Sequence, residues 1–168
     1  GLFYTQPCNW VQKEIKNKDD KQILPVDENF GLIIPKIKAN ERVVRDVNPF
    51  NESEYQQALK KGIAHAKESG LPGKKSNIFL FAHSSGNFYQ NNRLNTAFLL
   101  LNKLEKSDQI IIFFEGEIFE YQVFDKKIVA ENQIEYMNNF SDQETITLMT
   151  CWPLGTSYKR LLVFGKKL

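Results

Sequence analysis

Cysteine and histidine are scarce in this chain of 168 residues, which has two of each. The cysteines, Cys8 and Cys151, lie far apart, and the sequence contains no Cys-x-x-Cys pair. So few cysteines do not make the dense framework of a disulfide scaffold, although one bridge between these two is compatible with the count. The same scarcity argues against a structural zinc site, which needs several thiolates or imidazoles at close spacing.

The sequence also lacks long apolar runs and an excess of one charge. No apolar stretch approaches the ~18 residues of a transmembrane helix, and no basic, apolar and small-residue signal segment is present. The 22 basic and 20 acidic residues are interspersed and leave a net charge of +2. Scattered lysines of this kind indicate a solvated surface, so nucleic acid is not predicted as a partner.

What the chain does contain is a series of short β runs separated by turn residues. The runs span residues 31–38, 41–47, 77–82, 110–115, 117–124, 127–130, 145–151 and 160–164. Pro35 lies in the first run and places it at an edge or a bulge. Many short strands with only brief helices favour a closed or nearly closed barrel, and the length fits one domain with a sizeable core.

Two short helices are predicted between the strands. Asn51 is suited to cap a helix with Tyr55, Ala58 and Leu59 on one face, ending near Gly62. Apolar residues at positions 94, 98, 101 and 104 have helical spacing and predict a second one. Residues 1–22 are polar and lysine-rich, which is typical of a peripheral segment.

Three residues with reactive side chains end or begin predicted strands. Cys151 ends one apolar strand, Arg160 opens the next, and His83 follows the apolar run Ile78–Ala82. A thiolate is a strong nucleophile, an imidazole exchanges protons, and an arginine fork can bind an oxyanion. Together they predict an acyl-transfer site. Taken singly, Cys151 fits a buried structural thiol equally well, and the other two are more simply a satisfied histidine and a solvated charge.

The residues around Cys151 resemble those of a known family. Thr147-Leu148-Met149-Thr150-Cys151, then Pro153, Gly155 and Thr156, then Arg160-Leu161-Leu162-Val163, resemble the sortases, the cysteine transpeptidases of bacterial surfaces. The stretch from Gly62-Ile63-Ala64-His65 to Ala82-His83-Ser84 is similar to the family's approach to its catalytic histidine. The resemblance covers roughly residues 30–165, and the Cys-x-Pro-x-Gly-Thr form looks most like the class D and E sortases.

The resemblance implies a fold and a set of site residues. The fold is mainly β, a single-domain closed eight-stranded barrel with a few short helices over residues 23–168, preceded by a juxtamembrane appendage at 1–22. Cys151 is the expected nucleophile, His83 the acid–base and Arg160 the oxyanion ligand, while His65 is assigned a structural role. No cofactor is implied, and no metal site is predicted because Glu115, Glu117 and Glu120 do not differ from surface acids.

Supporting roles are predicted for five further residues. Leu148 and Thr150 share one strand face, opposite to that of Met149 and Cys151, and Thr150 is expected to brace the strand end. Ser84 and Ser85 orient the imidazole, line the cleft or are ordinary polar loop residues. Trp152 either shapes the cleft or packs.

The expected activity is sorting-signal transpeptidation. The resemblance implies cleavage of secreted proteins bearing LPxTG-like signals between Thr and Gly, with transfer to an amine of a peptidoglycan precursor or to a pilin lysine. It implies a location at the extracytoplasmic face of the bacterial membrane, through an anchor absent from this sequence. A cysteine hydrolase with the same three residues, and a non-catalytic β-barrel binding module, are the alternatives.

Overall fold

The computed structural model describes residues 23–83, 97–132, 142–153 and 156–168. Within these ranges eight strands form: β1 (Phe30–Ile34), β2 (Ala39–Val47), β3 (Ile63–Ala66), β4 (Asn77–Phe81), β5 (Gln109–Phe114), β6 (Glu117–Ala130), β7 (Thr145–Trp152) and β8 (Lys159–Lys167). One α-helix, α1 (Glu52–Leu59), follows β2, and 3₁₀ turns lie at Pro35–Ile37 and Leu101–Lys103. The appendage predicted at 1–22 falls outside the described residues and stays a prediction.

The strands close into a barrel in the order β1-β2-β3-β4-β7-β8-β6-β5, with β5 pairing back onto β1. The β2–β3 and β4–β7 pairs are parallel, and the other pairs are antiparallel. Each of these strands is therefore hydrogen-bonded on both sides, which removes exposed edges. The predicted mainly-β, closed eight-stranded barrel is confirmed.

The strand count agrees with the sequence prediction through two errors that cancel. Strand β3, with all four residues buried, was not predicted. The runs predicted at 117–124 and 127–130 are one strand, β6, with a register shift between Val123 and Asp125 where it pairs with β8. A β-bulge of this kind bends a strand without ending it.

Two local predictions were wrong. Strand β1 is not an edge, because it pairs with both β2 and β5; Pro35 instead opens the 3₁₀ turn at which the strand ends. The α-helix predicted over 94–104 is, within its described part, a turn followed by the 3₁₀ turn at Leu101–Lys103. Phe98, Leu101 and Leu104 are fully buried, and their spacing of three fits the three residues per turn of a 3₁₀-helix.

The apolar core lies mainly inside the barrel. Alternate residues of the central strands, such as Ile78 and Leu80 of β4 or Ile146 and Leu148 of β7, are fully buried in one cluster. A smaller cluster of Ile33, Ile111 and Phe113 covers the other face of β1 and β5. Side chains alternate across a strand, so both faces of this part of the sheet are covered.

Helix α1 forms because its first residues are capped and its last ones are buried. The Asn51 side chain accepts a hydrogen bond from the Glu54 backbone N–H at 3.1 Å, as predicted for the N-cap. Ala58 and Leu59 are buried, and the helix lies against β2 and β3. None of the described helices combines the length and the apolar character that a membrane span requires.

Candidate active site

Strand register brings the three predicted catalytic residues to one end of the barrel. Cys151 is directly opposite Arg160 in the antiparallel β7–β8 pair, so their side chains lie on the same face of the sheet. On its other side, β7 pairs in parallel with β4, with Phe81 opposite Met149. His83 lies two residues after Phe81, and Cys151 lies two residues after Met149. Since neighbouring strands lie about 4.8 Å apart, Cys151 lies between His83 and Arg160.

These three residues line a single cavity of about 520 Å³. Its apolar wall is formed by Tyr55 and Leu59 of α1, Phe81 and Ala82 at the end of β4, and Met149 of β7. Its polar groups are those of Glu52, Gln56, His83, Cys151, Thr150, Thr156, Ser157 and Arg160. Cys151 is a free thiol and is half-buried. The cavity thus offers a nucleophile between a base and a cation, beside an apolar surface.

Thr150 joins the strand of the nucleophile to the residue before the histidine. It is 2% exposed, and its hydroxyl donates to the Ala82 carbonyl oxygen at 2.9 Å. The Ala82 backbone N–H donates in turn to the Met149 carbonyl oxygen at 3.2 Å. These two bonds hold the chain on β7 after β4 has ended, so Thr150 fixes the backbone from which His83 projects.

His83 is half-buried and contacts helix α1. Its Nε2 lies 3.2 Å from Oε1 of Gln56. Burial lowers the pKa of His83 below its ordinary value, because an imidazolium is poorly solvated in the cavity wall. His83 is therefore mainly neutral near neutral pH and is suited to accept a proton.

The Arg160 guanidinium is held by backbone carbonyls just before β8 and at its first residue. Its Nη1 donates to the carbonyl oxygens of Ser157 at 3.0 Å and Lys159 at 3.1 Å. Nη2 lies 3.9 Å from a carboxylate oxygen of Glu131, and the side chain is 22% exposed. A guanidinium has further N–H donors in a fixed plane, so Arg160 can be anchored by one arm and still donate to a ligand in the cavity.

The second histidine, His65, has a different environment. It is fully buried in β3; its Nδ1 accepts from the Asp46 backbone N–H at 3.1 Å, and its Nε2 lies 2.9 Å from the Gly70 carbonyl oxygen. Burial is the main cause that lowers its pKa. His65 does not line the cavity of Cys151, and its contacts are those of a structural histidine.

The structure places the supporting residues in different surroundings. Leu148 is fully buried in the core, and Trp152 packs against the core without lining the described cavity; both positions indicate packing. Thr150 donates to the carbonyl oxygen of Ala82, at the end of β4. Ser84 and Ser85 fall outside the described residues, so their roles stay predictions. In the described ranges, no three Asp, Glu, His or Cys side chains lie together as metal ligands.

Sequence reasoning missed the contribution of α1. Glu52 and Gln56 are one helical turn apart and both line the cavity, but polar residues on a short helix ordinarily indicate a solvated face. Their spacing of four places them on the same face as Tyr55 and Leu59. This shared face of polar and apolar residues was the sequence signal that could have predicted the contribution of α1 to the cavity.

Comparison with known proteins agrees with this geometry. A family model described as a sortase domain matches residues 32–168. Sortase D of Bacillus subtilis (strain 168) is 29% identical over 139 residues, which cover 81% of this chain and 62% of that protein. This chain thus spans less than two thirds of that relative.

Solved structures give the same fold. Streptococcus agalactiae Sortase C1 superposes with a TM-score of 0.71 at 27% identity, covering 86% of this chain and 70% of that one. The Sortase D5 transpeptidase of Clostridium perfringens has a TM-score of 0.68 at 22% identity and covers 93% and 88%; at that identity the likeness concerns the fold alone. The family match extends over more than half of the chain and nearly the whole barrel, and the protein therefore belongs to the sortase family.

Proposed function

We propose that this domain is a cysteine transpeptidase in which Cys151 is the nucleophile, His83 the acid–base and Arg160 the oxyanion ligand. The observation that supports this most directly is their common cavity at the ends of three neighbouring strands. Membership of the sortase family supports the same assignment.

The first half-reaction forms a thioester. His83, mainly neutral, takes the proton of the Cys151 thiol, and the thiolate attacks the carbonyl carbon of the scissile peptide. The carbonyl oxygen becomes an oxyanion, to which Arg160 donates hydrogen bonds. When the C–N bond breaks, the imidazolium gives its proton to the leaving amine, and the acyl group stays on sulfur.

The second half-reaction reverses these proton movements. An incoming amine attacks the thioester carbon, and neutral His83 accepts the proton that the amine loses. The C–S bond then breaks, and the imidazolium returns that proton to the sulfur of Cys151. The products are a new amide and the starting enzyme. Water in place of the amine gives a carboxylic acid, which is the hydrolase outcome.

The substrate class follows from the family. We infer that the acyl donor is a secreted protein with an LPxTG-like sorting signal, cleaved between Thr and Gly. The acceptor is an amine of a peptidoglycan precursor or a pilin lysine, and the enzyme works at the extracytoplasmic face of the membrane. The apolar cavity wall and the cation of Arg160 are compatible with a peptide of this kind.

The test is mass spectrometry of the protein incubated with a panel of Leu-Pro-x-Thr-Gly peptides, with and without triglycine or diaminopimelate. We expect an acyl adduct on Cys151 that is converted to a ligated peptide when an amine is present. Cys151→Ala should give no adduct, and the matched variant Cys8→Ala should behave as the wild type.

Three results would contradict the proposal. Adducts that are released only by water, whatever amine is supplied, would establish a hydrolase. A ligated product from Cys151→Ala would exclude Cys151 as the nucleophile. Equal alkylation of Cys8 and Cys151, with no adduct from any peptide, would support the non-catalytic binding module.

A further inference from the structure

We propose that Gln56 is a positioning residue that holds His83 as the Nε2–H tautomer, so that Nδ1 is the nitrogen that exchanges protons in the site. This inference rests on the proposed function and deepens it, because it adds a residue from outside the Cys151, His83 and Arg160 set. It also assigns each imidazole nitrogen a task.

The contact joins two elements that are distant in sequence. Gln56 Oε1 lies 3.2 Å from His83 Nε2, across 27 residues, and both side chains line the cavity. An amide oxygen only accepts hydrogen bonds. A neutral imidazole that faces it must therefore present an N–H, which leaves its lone pair on the other nitrogen.

Helix α1 is fixed well enough to act in this way. Tyr55, the residue before Gln56, packs edge-on against Phe81 with ring centroids 6.2 Å apart. Phe81 is two residues before His83 and ends β4. The burial of Ala58 and Leu59 anchors the other end of the helix. Gln56 therefore approaches His83 from a helix packed on the same strand end that supports the imidazole.

The protonation of His83 makes the tautomer matter. Burial lowers its pKa, so near neutral pH the ring has one proton and one lone pair. The other titratable or charged groups lining the described cavity are Glu52 and Tyr55 from α1, Cys151 from β7 and Arg160 from β8. Among these four groups, Cys151 is the one from which His83 takes a proton in the proposed reaction.

Ring-nitrogen NMR tests the tautomer without any need for activity. The chain has two histidines, so the imidazole ¹⁵N spectrum contains two spin systems. His65 serves as internal reference, since its Nδ1 accepts a backbone N–H and its Nε2 faces a carbonyl. We expect wild-type His83 to be protonated on Nε2, and Gln56→Leu to give a mixture of tautomers with His65 unchanged.

Gln57 provides the matched control, because it is the adjacent residue of α1 and is exposed. Gln57→Leu and Gln57→Glu should leave the His83 spectrum and the kinetics as in the wild type. Gln56→Leu should lower kcat by roughly three- to tenfold, which corresponds to the free energy of one hydrogen bond. KM should be nearly unchanged.

Gln56→Glu gives a readout that a purely structural role would not produce. A carboxylate beside Nε2–H stabilises the imidazolium, so the pKa of His83 should rise by about one unit or more. The limb of the kcat–pH profile that reports His83 should move to higher pH by the same amount, while Gln57→Glu leaves it in place.

The outcomes separate the two proposals. An Nδ1–H tautomer in the wild type, or a His83 spectrum unaffected by Gln56→Leu, would overturn the role of Gln56 even if the enzyme ligates peptides. An Nε2–H tautomer that depends on Gln56, in a protein that forms no acyl adduct, would support the positioning contact and reject the transpeptidase assignment.

Discussion

Replacing Thr150 by valine should affect both the stability of the barrel and the chemistry of His83. Valine has nearly the same shape but no hydroxyl, so it removes the 2.9 Å bond to the Ala82 carbonyl oxygen and leaves that oxygen without this donor. Ala82 is 6% exposed. Loss of one partner of a buried hydrogen bond costs about 1–3 kcal/mol, which for a domain of this size lowers Tm by about 2–12 °C.

The catalytic effect of Thr150→Val follows from the position of Ala82. Its carbonyl belongs to the residue before His83, so the backbone that supports the imidazole is released from β7. A displacement of ~1 Å at a reacting group costs about 10²-fold in rate. We expect kcat to fall by at least tenfold, with a smaller change in KM. Thr150→Ser keeps the hydroxyl and should recover most of kcat.

Thr147→Val is the matched control on the same strand. Thr147 is also fully buried, and its hydroxyl donates to Asn77 Oδ1 at 3.0 Å. That oxygen also accepts from the Thr145 hydroxyl at 3.0 Å, so the loss should be milder, about 0.5–1.5 kcal/mol. Thr147 does not line the described cavity, and kcat should not change. Equal loss of kcat in both valine variants, or a wild-type Tm and kcat for Thr150→Val, would refute the reasoning.

Three further predictions concern Arg160, the histidines and a buried tyrosine. Arg160→Lys loses the planar fork that donates to Ser157 and Lys159 and should lower kcat/KM by about 10²–10³-fold in a peptide-cleavage assay, whereas Arg42→Lys should not. Burial lowers the pKa of His65 and His83 below the ordinary value of 6.5, so the unfolded chain takes up protons first as pH falls. The free energy of unfolding, measured by urea titration, should thus be constant above about pH 6.5 and decrease below it. Its dependence on pH should be weaker in His65→Gln, and a wild-type free energy that does not change with pH would contradict this. Glu144 accepts hydrogen bonds from the buried Tyr121 hydroxyl and the Gly73 N–H, so Glu144→Ala and Tyr121→Phe should each destabilise by about 1–3 kcal/mol and be non-additive when combined; simple additivity would exclude the coupling.

The local part of the site could be predicted from the sequence, because it depends on where strands end. An apolar run followed by Cys151, and another followed by His83, place side chains at one rim of a barrel. Alternation along β7 also holds: Leu148 and Thr150 are buried, while Met149 and Cys151 are half-buried. These features depend on neighbours within a few residues.

The parts that could not be predicted depend on contacts that a local pattern does not contain. Strand β3 has four buried residues and no alternation, so it lacks the signal of a half-buried strand. The lysines at 126 and 127 interrupt the apolar pattern of β6, yet Lys126 Nζ donates to the carbonyl oxygens of Asn102 and Leu104. From the sequence alone, a strand lysine whose ammonium group binds backbone carbonyl oxygens cannot be distinguished from a lysine in a loop.

The described contacts hold His83 and Arg160 through different elements, and this has a consequence for combined variants. His83 is supported twice, by Thr150 through the Ala82 carbonyl and by Gln56 from α1. Arg160 is supported separately, by the carbonyl oxygens of Ser157 and Lys159. Changes that act on one group couple, whereas changes at independent supports add. The losses of kcat in Thr150→Val and Gln56→Leu should therefore combine to less than their product, because an imidazole already displaced by one change has less to lose from the other.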